Sequence, residues 1–183
     1  MASTLGKLSR ERPSVQDIDE AMEELKTDGA RGAVALGSAL IEDVLQACIT
    51  LSMVRLTSSE IDELFTGQSP IASFSARVRL AYALGIFGRK TRKDLNTVRE
   101  IRNAVVHAKR RFTFDTQAVK YAVDNMNCIK SKPGINDLST QHRFAKAVFK
   151  LLVLLSGYIA SKENPSTSNT VSDEFSDTVL GLD

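Results

Sequence analysis

The residue types best suited to chemistry stand together in Arg99-Glu100-Ile101-Arg102-Asn103-Ala104-Val105-Val106-His107. On a helix turning about 100° per residue, Arg99, Asn103 and His107 follow one another at intervals of four, each about 40° from the last. Arg102 stands about 140° from His107 and nearer the apolar stripe. The spacing therefore predicts a polar ladder facing away from the core. A neutral histidine can take a proton from a ribose 2′-hydroxyl, and an arginine fork can hold the scissile phosphate as charge develops. Together these groups suffice for RNA cleavage without a metal, with Arg102 and His107 catalytic. The same residues have a plainer use. A histidine near a helix C-terminus suits the macrodipole when protonated, and a border arginine pairs with a carboxylate on the next helix. Glu42 and Asp43, midway along an apolar helix, are natural supporting partners for Arg102 or Arg99.

The remaining reactive types are scattered. His142 stands in the first turn of a helix beside Gln141 and Arg143, where a solvated role is expected. Cys48 and Cys128 lie far apart among apolar neighbours with no CxxC companion, which predicts reduced core thiols, no metal and no cofactor. Lys109-Arg110-Arg111-Phe112-Thr113-Phe114 interleaves charge with aromatics. Such a turn can grip RNA or an acidic partner, or its two rings can pin the loop to the core while the cations face water. The chain has no G-x-S-x-G, P-loop, G-x-G-x-x-G or H-E-x-x-H, so the usual hydrolase, nucleotide and zinc-protease readings lose support.

Helices must position these groups, because apolar residues recur at three and four almost throughout. The expected fold is all-α, a bundle of about six to seven helices over residues 14–162. Helices are expected over 14–26, from Asp28 to Met53, after a cap at Ser58 or Ser59, after Ser73 or Ser75, from Thr91 to Ala108, from a cap at Asp115 to Ile129, and from Ser139 to Lys162. Gly32 and Gly37 suggest a second helix in close approach. Residues 1–13 are expected to be a flexible N-terminus. Residues 163–183, Ser/Thr-rich and acidic after Pro165, are expected to be a disordered tail. Its Phe175, Val179, Leu180 and Leu182, set among acids, can dock as a short helix on a basic groove, including the chain's own.

Charge and composition bound the function. The 183 residues are 43% hydrophobic and 25% charged, enough for one core and unlike a collagenous or wholly disordered chain. The longest apolar run, Leu151 to Leu155, is short, and the first ten residues lack a secretion signal, so no membrane span and a cytoplasmic location are expected. The net charge of +2 hides an asymmetry: residues 163–183 hold five acids and no base, while the preceding 162 carry +7. Between Arg77 and Arg111 eleven bases face two acids, Asp94 and Glu100. That stretch suits phosphates or an acidic protein.

Asp28 to Ile49 and Ser69 to Ala108 resemble the mannitol operon repressor family. Ser69-Pro70-Ile71, Ser75, Arg77, Leu80, Tyr82, Leu84 and Gly85 fit its core pattern, with Ser69 in place of a glycine. The resemblance implies an all-α bundle without a helix-turn-helix reader, regulating through a protein partner. Separately, Arg102-Asn103-x-x-x-His107 resembles the signature of HEPN proteins, many of them metal-independent ribonucleases formed between two protomers. By that analogy Arg102 holds the phosphate, His107 is acid or base, and Asn103 orients them. The reading taken forward is a transcriptional-regulator-type protein acting through a partner, a homodimer through the Arg99/Asn103/His107 face, with Arg99, Lys109, Arg110 and Arg111 meeting partner or RNA. Sequence-specific DNA binding is not expected, because no suitable recognition helix is apparent. A HEPN-type endonuclease is the alternative.

Overall fold

A computed structural model describes residues 15–108, 112–130 and 132–163. Among them lie seven helices and no strand: α1 Val15–Thr27, α2 Ala30–Leu51, α3 Ser58–Phe65, α4 Phe74–Ala83, α5 Arg89–His107, α6 Gln117–Asp124 and α7 Thr140–Glu163. The all-α expectation is met.

The two longest helices, α2 and α7, are each other's principal neighbours, with α1 against both, α4 and α5 along α2, and α6 on α7. Their contact is the centre of the core, where Ile41, Leu45, Cys48 and Ile49 of α2 and Phe144, Val148, Leu151 and Leu155 of α7 are buried. Gly37 makes this approach possible: a methyl group there would lie 3.1 Å from Val148, 3.2 Å from Leu25 and 3.4 Å from Phe144. Gly32 plays no such part, since a methyl group there would meet only Asp28 of its own chain segment. By length and hydropathy alone α2 and α7 are also apolar enough to cross a membrane. In the bundle that apolar surface is what they turn toward each other and toward the shorter helices.

Local chemistry sets the helix ends, and several differ from the spacing-based expectation. The cap of α3 is Thr57 and not Ser58 or Ser59: its hydroxyl accepts from the Glu60 amide at 3.4 Å while Glu60 accepts from the Thr57 amide at 2.7 Å, a complete capping box. Ser73 caps α4 by accepting from the Ala76 amide. Helix α5 begins two residues before Thr91, and α6 is shorter than expected, with Thr116 rather than Asp115 at its N-cap and its end at Asp124 rather than Ile129. The reason is Asp94. Its buried carboxylate accepts from the backbone amides of Asn127 and Cys128, each at 2.8 Å, and from the Asn127 side chain. Those amides are drawn to α5 and cannot continue α6. The loop before α6 is anchored by rings: Phe114 is buried 5.4 Å from Phe144, with Phe112 edge-on to it at 5.9 Å.

Candidate functional site

Helix α5 lies against α2 and α4 through Leu95, Val98, Ile101 and Val105, all buried. One helical step from that seam stands Arg102, which the packing turns toward α2. Its guanidinium meets Glu42 at 3.2 Å, with 40% of the Arg102 side chain and 15% of the Glu42 side chain exposed. The pair lies in a groove of about 440 Å³ between α2 and α5, walled by Val34, Ala35, Ala39, Val105 and Val106, with Asp43 and Arg77 completing it.

Arg77 holds the groove together. It comes from α4, is only 8% exposed, and donates to three backbone carbonyls: Ile71 at 3.3 Å, Glu42 at 3.2 Å and Phe65 at 2.9 Å. Its guanidinium also lies 5.3 Å from the centre of the Phe65 ring. One fork thus ties α2, the end of α3 and the chain entering α4 to one another, a use of arginine that lysine cannot copy. Burial pushes the Arg77 pKa down, opposed by Glu42 and Asp43. Burial likewise raises the Glu42 carboxyl, opposed by Arg102 and then Arg77, and raises Asp43, opposed by Arg77. The groove is therefore a balanced set of two acids and two arginines whose desolvation is only partly offset.

The other candidate residues lie elsewhere. Asn103 and His107 are exposed and do not line this groove. Arg99, part-buried, has its nearest acid in the adjacent Glu100, at 3.7 Å. Lys109, Arg110 and Arg111 lie outside the described residues. The C-terminus of α5 is capped from α2, where Arg31 donates to the carbonyls of Ala108 at 2.8 Å and Val105 at 3.3 Å. His142 forms part of the α7 cap, with its amide and Nδ1 both on the Ser139 hydroxyl. The structure thus joins Arg102 to Glu42 and separates both from Asn103 and His107.

Two groups escaped the sequence reading as functional residues. Arg77 stands between Ala76 and Val78 on a buried helix face while Arg79 is exposed, and a cation flanked by apolar residues was the available signal. The second is a basic groove of about 480 Å³ between α4 and α5, lined by Tyr82, Arg89, Arg92, Lys93, Asn96, Thr97 and Glu100. There the Arg92 guanidinium lies 4.4 Å from the centre of the Tyr82 ring, a pairing that spacing along one chain segment does not show.

Comparison with known proteins places this arrangement. A chain in the X-ray structure of the MtlR–HPr complex from Escherichia coli superposes with a TM-score of 0.61 at 16% identity, covering 76% of this chain and 98% of that one. A possible transcriptional regulator, YggD from Shigella flexneri 2a, superposes with a TM-score of 0.61 at 15% identity, covering 77% and 97%. At such identities the likeness is one of fold. No curated protein sequence matches the chain. The mannitol repressor family model matches residues 14–153, which takes in α1 through most of α7 and both grooves, and the chain belongs to the mannitol repressor family.

Proposed function

We propose that this chain is a cytoplasmic, regulator-type protein that acts by binding a protein partner and not by reading DNA sequence. Membership of the mannitol repressor family carries the reading. The similar fold found in the MtlR–HPr complex supports HPr as the kind of partner to test. The partner surface is basic, formed by Arg99 with Lys109, Arg110 and Arg111, which follow α5 in the sequence. The homodimer contact is the exposed Asn103 and His107 face of α5 beside Arg99, with Val106, 67% exposed, next to it. Nothing in the arrangement favours RNA cleavage, since Arg102 is engaged by Glu42 in a groove that does not include His107.

Calorimetric titration of the full chain with HPr, in parallel with sedimentation equilibrium, tests the reading. Association is expected, and Arg110→Glu with Arg111→Glu is expected to weaken it by about tenfold or more, with a shallower salt dependence. Val106→Asp is expected to shift the sedimentation mass toward the monomer. No heat with HPr, or binding indifferent to the double reversal, rejects the proposed partner surface. An unchanged mass for the Val106 variant rejects the dimer contact.

A further inference from the structure

The basic groove between α4 and α5 lies apart from the α2–α5 groove and has its own chemistry. Arg89, Arg92 and Lys93 lie along it with Asn96 and Thr97, while Glu100 at its rim is within 3.7 Å of Arg99. The Arg92 guanidinium lies over the Tyr82 ring, and among the described residues no carboxylate pairs with Arg92 or Lys93. These cations do not serve the helix that carries them, because positive charge in a first turn opposes the macrodipole and the first turn of α5 holds no acid. Leu84, 40% exposed and two residues beyond Tyr82, supplies apolar surface at the same end of α4. The groove thus fits a segment that is acidic on one side and apolar on the other.

The chain carries such a segment. Residues 164–183 contain four acids and no base. Val171, Phe175, Val179 and Leu182 recur at helical spacing, with Asp173 and Asp177 on the opposite side of that repeat and Glu174 on its flank. Nine residues lie between Glu163 and Asp173, enough extended chain for about 30 Å. We propose that the groove between α4 and α5 is the docking site of the chain's own C-terminal segment. In it, Asp173, Glu174 and Asp177 face Arg92 and Lys93, and Phe175 lies beside Tyr82 and Leu84.

Zero-length carbodiimide coupling of the full chain, with crosslinks mapped by mass spectrometry in the monomer fraction, tests this. The tail carboxylates are expected to join Lys93 well ahead of Lys146 or Lys150 of α7. The yield is expected to collapse at about 1 M salt, where screening shortens to about 3 Å. Arg92→Glu and Phe175→Ala leave every reacting carboxylate and amine in place, and each is expected to cut the Lys93 yield by about tenfold, the effect of about 1.4 kcal/mol. Circular dichroism checks that Arg92→Glu and Phe175→Ala both fold. Yield spread evenly over the lysines, or untouched by both variants, overturns the proposal. Crosslinks found only between isotopically distinct copies in a mixed sample also overturn it, by assigning the groove to a second copy.

Discussion

At the scale of single residues, the most consequential side chain is Arg77. A buried guanidinium is costly unless its donors are used, and here three carbonyls from three chain segments use them. Removing it leaves those carbonyls without their donor, takes from Asp43 its opposing cation, and leaves Glu42 with Arg102 alone. Arg77→Ala is expected to lower unfolding free energy by about 3–5 kcal/mol in urea titration. Arg77→Lys is expected to recover less than half of that, because an ammonium cannot span three fixed acceptors. Glu42 behaves in the opposite sense. Its folded pKa is raised, mainly by burial, so the folded state binds a proton more tightly than the unfolded chain. Its contribution is fully present below the unfolded carboxylate range and is lost as pH rises through the folded value. Glu42→Gln is expected to flatten that fall between about pH 4.5 and neutrality, and to change stability at pH 7 by less than about 1 kcal/mol. A variant whose pH profile overlays the wild type removes Glu42 from the account.

At the scale of elements, close approach and capping decide where helices sit. The two glycines of α2 separate these effects. Alanine favours a helix over glycine by about 0.5–1 kcal/mol. At Gly32 the new methyl group meets only the movable carboxylate of Asp28, so Gly32→Ala is expected to raise the melting temperature. At Gly37 it presses on Val148, Leu25 and Phe144 at once, and overpacking of about 1–3 kcal/mol outweighs the propensity gain. Gly37→Ala is expected to lower the melting temperature. Equal shifts from both substitutions, read by thermal denaturation, contradict the packing of α1 and α7 on α2. The end of α6 makes a similar point, since Asp94 captures the Asn127 and Cys128 amides that a longer helix would have used.

At the scale of the whole molecule, one core runs from α1 to α7, and its cysteines report on it. Cys48 is buried with its Sγ 3.4 Å from the Leu155 carbonyl. Cys128 is pushed well above the ordinary thiol range by burial and then by Asp94, so its reactive thiolate is suppressed. Neither thiol is expected to react with an aromatic disulfide reagent at neutral pH faster than the protein unfolds globally. Reaction of either cysteine in folded protein within the mixing time contradicts this core. The same scale governs charge. The +7 of residues 1–162 and the acids of the tail belong to one chain, so salt is expected to act on its contacts with others and on contacts with itself.

The all-α class, seven helical segments and most of their ends were legible in the chain, because the three–four spacing of apolar residues and the residues at turns are local properties. The family core around Ser75, Arg77 and Tyr82 was legible for the same reason, and so was the choice of Glu42 as a partner for Arg102. Spacing also set Arg102 nearer the apolar stripe than His107, and α2 supplies the groove and the Glu42 carboxylate that receive it. What spacing could not decide is which partners a polar side chain meets when they come from several segments not adjacent in sequence. Arg77 has no acid on its own helix, and its value comes from three carbonyls between 6 and 35 residues away along the chain. Arg92 meets Tyr82 only because α4 and α5 pack side by side. Local periodicity determined the helices, and long-range packing between helices decided which of their charges are paired, buried or presented.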